Sequence, residues 1–303
     1  LAEVTDAGVI YSTTPGVSSG NGTKVTRTGE ENIVEVTGLT EGTKYYAVAY
    51  ATNSYGTTYS KEIVFYTEFA NCTNLSKYGT SNCYIVTKPG AYTFDAIVKG
   101  NGNESICNDE ALRLGFSAIV LWETNNTDTF IEVEEIIRNV TYDAGYVRFD
   151  ATGVPGNALI AVKDSSGTIL WSWHIWSCDF DPYATANTYI SGAVLMDRNL
   201  GALNVEKNDV RSYGLFYQWG RKDPSVGPLG RNGNYFAVTA PADAINYVSA
   251  TTSNNTLTFT VNNPTTVIDG STWNNEDYLW SSEKTIYDPC PIGWRIPDKS
   301  AWE

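Results

Sequence analysis

Histidine and methionine are nearly missing from this chain, with one of each in 303 residues. Any Ser-His-Asp or Cys-His apparatus would have to be built around His174. That residue sits inside an aromatic run, where a packed sheet histidine is the ordinary reading and metal ligation is a poor one. Charge is also scarce, at 18%, and lopsided: 34 acidic against 20 basic residues leave a net charge of −14. No Lys/Arg cluster interrupts the excess, which argues against a phosphate-backbone partner and therefore against nucleic acid. No run approaches the roughly 18 apolar residues of a membrane span, and Leu1–Val4 is not a signal peptide.

The five cysteines, Cys72, Cys83, Cys107, Cys178 and Cys290, contain no CxxC, so zinc-finger and thioredoxin-like readings fail. Cys72, Cys83, Cys107 and Cys178 are candidates for disulfides, with their connectivity open. The odd count leaves Cys290 expecting a partner elsewhere.

Aromatic residues are plentiful, at 13% with 20 Tyr and 9 Trp. Together with abundant Thr, Gly and Asn, they give the profile of an extracellular β protein, not of a helical enzyme or a disordered chain. The length suits two or three domains. In residues 1–67, strand-like runs at Gly8–Tyr11, Asn32–Val36, Lys44–Thr52 and Ile63–Tyr66 alternate with turn signals, which predicts a β-sandwich. Residues 68–182 form a second β module, with strands expected at Cys83–Thr87, Gly90–Phe94, Ala118–Trp122 and Phe130–Val133. A hairpin is expected from Ala158–Val162 and Thr168–Trp176. In its second arm, Ile169, Trp171, Trp173 and Ile175 share one face, and Leu170, Ser172, His174 and Trp176 the other. Both faces are apolar enough for a central, doubly covered strand.

Residues 183–303 change character. Met196–Ala202 (MDRNLGA) precedes Tyr213–Pro224 (YGLFYQWGRKDP), and a Thr/Asn-rich hairpin is expected near Leu257–Val261. Tyr287–Pro297 (YDPCPIGWRIP) follows, and Asp298 reads as the N-cap of a helix that continues past Glu303. Crowded aromatics, glycines and mixed charges mark a loop-rich domain.

Three resemblances attach to these residues. Leu39, Thr43, Tyr45, Ala51, Asn53 and Gly56 resemble the end of a fibronectin type III domain, with Tyr45 at the tyrosine-corner position. Glu41 replaces that family's proline, and the first strands of such a domain are missing. The run of 82–176 resembles a β module of Bacteroidetes surface proteins. The order MDRNLGA, WGRKDP, YDPCPIGWRIP is similar to the FISUMP (major paralogous) domain, whose fold is related to C-type lectins and to formylglycine-generating enzymes. The resemblances imply a mainly β protein, tandem β-sandwiches (1–67 and 68–182) followed by an α+β lectin-like domain (183–303) incomplete at its C-terminal end.

Each chemical constellation has a bland counterpart. Glu132, Glu134 and Glu135 fit the solvated face of an edge strand. Asp197, Asp223 and Asp288 sit beside basic residues or turn prolines, which favours structural ion pairs over a glycosidase carboxylate pair. The cysteine pair of formylglycine-generating relatives is absent, since Cys290 stands alone. Calcium, used by lectin-like relatives, would find its best oxygens at Asn274, Asn275, Glu276 and Asp277. Trp219, Trp273, Trp280 and Trp294 offer stacking surfaces for sugars, with Arg221, Asp223 and Asn275 as hydrogen-bonding groups, although tryptophans spaced through a small loop-rich domain are ordinarily its core. Tyr45, Trp171, Trp173 and Trp294 are expected to be structural. The expectation is a secreted or bacterial cell-surface adhesion protein without catalytic activity, binding a glycan or protein. Alternatives are a self-associating filament subunit or the carbohydrate-binding appendage of a polysaccharide-degrading enzyme.

Overall fold

The computed structural model describes residues 2–29, 33–40, 43–67, 71–99, 112, 115–227, 235–240, 246–269, 279–297 and 301. The fold is mainly β. The chain divides into two compact units, Leu1–Asn71 with Asp143–Gly145, and Cys72–Tyr142 with Tyr146–Glu303. Among the described residues no helix is long and apolar enough to cross a membrane.

The first unit is one antiparallel sheet of β1 (Asp6–Ser12), β2 (Thr23–Thr26), β3 (Lys44–Asn53), β4 (Gly56–Tyr59) and β5 (Ile63–Tyr66). β1 pairs along one edge of β3, while β4 and β5 share the other edge. The β3–β4 turn works because Asn53 Oδ1 accepts from Tyr55 N at 2.9 Å and Gly56 takes φ +134°. Ile10, Val48 and Tyr50 cover one face with the loop residue Val17. On the other face Tyr45 is buried and stacks on Phe65 at 5.6 Å. Its hydroxyl accepts from Thr40 N at 3.1 Å, which ties β3 to the backbone a few residues before it. The strand expected at Asn32–Val36 is not formed in its described part. Half-buried Val34 and Val36 alternate with exposed Ile33 and Glu35, but no ladder partner is recorded for them.

In the second unit, β6 (Thr73–Asn74), β8 (Gly90–Asp95), β10 (Ile137–Asp143) and β11 (Tyr146–Ala151) form a sheet in the order β10-β11-β8-β6. β7 (Cys83–Val86), β9 (Ser117–Thr124), β12 (Gly156–Lys163) and β13 (Ile169–Ser177) form another, in the order β7-β13-β12-β9. The sheets share a core: Phe94 and Phe149 from the first, Ile160, Trp173 and Ile175 from the second, all without solvent exposure. Phe94 lies 5.1 Å from Trp173, ring centre to ring centre. Burying such side chains stabilises by about 1.5–3 kcal/mol each.

β13 is the central strand, parallel to β7 and antiparallel to β12. Its alternation has one correction. A bulge between Val162 and Lys163 shifts the register, so Leu170 joins the Trp171–Ile175 core and Ile169 packs on the opposite side. Phe130–Val133 is not a strand. Phe130 and Val133 are exposed, and the chain enters a turn in which Glu134 takes φ +66°.

Much of the described part of 183–297 packs on the back of the β7-β13-β12-β9 sheet, while Val261 and Tyr287 pack against the core between the sheets. Leu215, Val226 and Phe236 pack on Leu121, Trp122 and Leu159, while Met196, Leu200 and Leu203 pack on Cys83, Trp176 and Phe180. Among the described residues, regular structure here comes in short pieces: β14 (Asn187–Thr188) with β15 (Val194–Leu195), a 3-10 turn (Val210–Ser212), β16 (Phe216–Tyr217) with β17 (Pro224–Ser225), β18 (Asn246–Ser249) with β19 (Thr266–Asp269), and α1 (Leu257–Asn262). α1 replaces the expected hairpin, because the Thr256 side chain accepts from Phe259 N at 3.1 Å and starts a helix. The helix expected from Asp298 lies outside the described residues, apart from Ala301.

Candidate functional site

The two dense motifs meet the second sheet, and Arg221, Lys222, Asp223 and Asp288 are buried there, while Arg295 is exposed. Gly220 takes φ +76°, which turns the chain after Trp219 and drives Arg221, Lys222 and Asp223 into the interior. Arg221 was expected to hydrogen-bond a ligand. It is instead 4% exposed, and its guanidinium donates to the carbonyls of Thr266, Thr260, Asn263 and Pro264. It therefore satisfies the acceptors at the end of α1, which a helix cannot satisfy itself. Asp223, the other expected polar contact, is 6% exposed. Its Oδ1 accepts from Lys222 Nζ and from Ser172 Oγ, each at 2.6 Å. Lys222 Nζ also donates to Ser172 O at 2.9 Å and lies 4.3 Å above the Trp171 ring. Burial pulls the Lys222 ammonium down to about 8, with Asp223 opposing the fall.

Asp288 organises the second motif. It accepts from Cys290 N and Ile296 N, both at 2.8 Å, and from Lys284 Nζ at 3.2 Å. Lys284 also donates to the carbonyls of Cys290, Pro291 and Trp294. Asn82, just before β7, clamps this loop to the sheet by donating to the carbonyls of Ile286 (2.7 Å) and Asp288 (2.9 Å). Its Oδ1 accepts from Trp171 Nε1 at 3.0 Å.

His174 is buried on the same face. Asn157 Nδ2 donates to Asn126 Oδ1 and Gly201 O, both at 2.9 Å, which leaves Asn157 Oδ1 to accept from His174 Nε2 at 2.8 Å. Nδ1 is then the acceptor, 3.2 Å from the Tyr217 hydroxyl and 3.3 Å from Cys83 Sγ. Burial holds the imidazole down to about 3, so it is neutral at physiological pH. Cys83 and Cys178 are buried free thiols, so neither closes the disulfide expected of it. Cys107 lies outside the described residues.

One polar group escaped the sequence reading. Glu123, in β9, is 1% exposed, and its carboxylate accepts from the backbone N–H of Glu134, Ile136 and Ile137 at 2.8–3.1 Å. It holds the turn containing Glu132, Glu134 and Glu135, which is therefore not an edge strand. No group of three or more His, Cys, Asp or Glu fit to hold a metal occurs among the described residues. Asn274, Asn275, Glu276 and Asp277 lie outside them, as does Trp273.

Several aromatic rings remain at the surface. Trp219 is 45% exposed, and its ring lies 5.0 Å from that of Trp280, whose Nε1 donates to Tyr287 O at 2.9 Å. Phe216, Tyr235 and Tyr247 are 47%, 47% and 54% exposed, and neighbouring ring centres in this row are 6.4 Å apart. Trp171 and Trp173 are fully buried, and half-buried Trp294 packs against Tyr183 at 5.6 Å. A cleft of about 490 Å³ runs between Met196–Leu200 and the Cys290–Pro297 loop.

No family model matches the chain, and no curated protein matches its sequence. Among solved structures, the Bacteroides ovatus mixed-linkage glucan utilization locus protein SGBP-B, in complex with a mixed-linkage heptasaccharide, aligns at 12% identity with a TM-score of 0.16. That alignment takes in 57% of this chain and only 38% of the other. At such a score nothing is carried over from it.

Proposed function

We propose that the protein is a secreted or bacterial cell-surface binding protein that acts without catalysis, recognising a glycan or protein on another surface. In this reading the first unit is the C-terminal part of a fibronectin type III domain. The second unit joins a Bacteroidetes-type β module to a FISUMP, lectin-like segment. The observation that carries the reading is how the motif side chains are used. Arg221, Lys222, Asp223, Lys284 and Asp288 spend their charge on internal bonds, while Trp219, Phe216, Tyr235 and Tyr247 face solvent. An enzyme places its perturbed ionisable groups in a cleft open to substrate. Here Lys222 and His174 are sealed, and exposed aromatic rings are the usual anchors of a binding surface.

The test is a glycan array and a cell-surface pull-down with the folded chain. Saturable binding in either supports the reading, and none in both contradicts it. A second reading, a filament subunit, draws on the first unit, where Tyr55, Ile63 and Val64 are exposed along β4, β5 and their approaches. Electron microscopy distinguishes it: ordered fibres favour the filament, and dispersed monomers at high concentration rule it out.

A further inference from the structure

We infer that the row Phe216, Tyr235 and Tyr247 is a binding platform for an uncharged polysaccharide chain, engaged along its length. The inference rests on the binding-protein reading and names the ligand class and the residues. The three rings come from separate segments, yet firm backbone positions two of them. Phe216 is held opposite Ser225 in the β16–β17 ladder, and Tyr247 opposite Val267 in the β18–β19 ladder. Tyr235 lies between them, with the buried Phe236 beside it as an anchor in the apolar cluster on the sheet. The platform is thus fixed before any ligand arrives, which lowers the entropy cost of binding.

The geometry suits a chain more than a single sugar. Successive ring centres are 6.4 Å apart, and the rings tilt by 74° and 38° instead of stacking on one another. Each residue is about half exposed, so the row presents aromatic surface, edges as well as faces, along an open track. Pyranose rings present C–H faces between equatorial hydroxyls, and they satisfy such a track by stacking while their hydroxyls stay wet. The Tyr235 and Tyr247 hydroxyls and the Ser225 side chain beside Tyr247 supply hydrogen bonds at the margin.

Charge decides among polymers. The ion pairs found among the described residues lie elsewhere, at Asp6–Lys24, Asp197–Arg198, Asp209–Arg211, Lys222–Asp223 and Lys284–Asp288. The protein's net charge is −14, so uronic-acid and sulfated polymers are repelled, while a neutral chain is indifferent to the field.

The test is affinity electrophoresis and calorimetry of the whole chain with hydroxyethylcellulose, xylan and galactomannan, against alginate and polygalacturonate. The comparison variant is Phe216→Ala/Tyr235→Ala/Tyr247→Ala, its fold checked by circular dichroism. Tyr235→Phe serves as a milder control that keeps the ring. The inference expects binding to at least one neutral polymer, a loss of about tenfold or more in the triple variant, and near-parental binding by Tyr235→Phe. Unchanged binding by a folded triple variant, or preference for an acidic polymer, overturns it while leaving the binding-protein reading in place. So does a pull-down that returns only protein ligands while no polymer binds. Failure of the parent chain to bind any surface or polymer overturns both.

Discussion

Acid should loosen the second unit through one residue, His174. The buried imidazole is held at about 3, against 6.5 in an unfolded chain. Between those values the unfolded state takes up a proton that the native state refuses, so stability falls as pH falls. At roughly 1.36 kcal/mol per pH unit, the full penalty approaches about 5 kcal/mol by pH 3 and about 2 kcal/mol by pH 5. Glu123 works in the opposite direction, because burial raises its carboxylate, so the total pH dependence mixes both. Comparison with His174→Gln isolates the histidine. The variant gives up bonds to Tyr217 and Cys83 and is less stable at pH 7 by about 1–3 kcal/mol, but it has nothing to titrate at this position. All 9 tryptophans lie beyond residue 120, so tryptophan fluorescence during urea unfolding reports the second unit directly. Stability plotted from pH 7 to pH 4 should fall more steeply in the parent than in His174→Gln. Parallel plots, or a native histidine titrating near 6.5 by NMR, would refute the buried, neutral assignment.

Two further perturbations probe the motif. Lys222→Met leaves Asp223 buried without its ammonium partner and should cost about 3–5 kcal/mol, whereas Lys222→Met/Asp223→Leu should recover much of the loss; urea midpoints measure both. Gly220→Ala places a Cβ 2.7 Å from Leu279 at φ +76°, so it should destabilise by about 1–3 kcal/mol, read as a lower thermal midpoint.

The strands that carry strong apolar or alternating patterns were readable from the chain alone. β1, β3, β5, β7, β8, β9 and the β12–β13 hairpin fall where residue type and turn signals put them. The misses have physical causes. Asn32–Val36 has strand character but no ladder partner is recorded for its described part, and pattern alone does not make a ladder. β10 and β11 went unnoticed because Arg138, Asn139, Arg148 and Asp150 dilute their apolar positions, although Ala144 and Gly145 form a tight turn with positive φ between them. Leu257–Val261 has strand-like residues, yet the Thr256 cap and packing against β13 make it helical.

The site was harder to read for a related reason. Arg221 and Asp223 were offered as ligand contacts because charged residues usually belong at the surface, although the basic neighbour of Asp223 also pointed to the structural ion pair that it forms with Lys222. Nothing local announces that Arg221 will meet four carbonyls around the end of α1, or that Lys222 and Ser172 will enclose Asp223. Glu123 was invisible because the backbone amides that satisfy it lie in a turn that reads as a strand. Phe216, Tyr235 and Tyr247 lie in separate segments of the chain, and only the folded packing brings their rings into one row. Trp219 and Trp280 are neighbours, with Trp219 open to solvent, which the sequence does not announce either.

The central claim is that the exposed aromatic rings bind, while the charged motif behind them holds the fold. Hydroxyl-radical footprinting of the whole chain, with and without a neutral polysaccharide that it binds, tests this most directly. The account predicts protection at Phe216, Tyr235 and Tyr247, with Arg221–Asp223 unreactive in both states. Protection confined to the cleft between Met196–Leu200 and Cys290–Pro297, with the aromatic row unchanged, would contradict it.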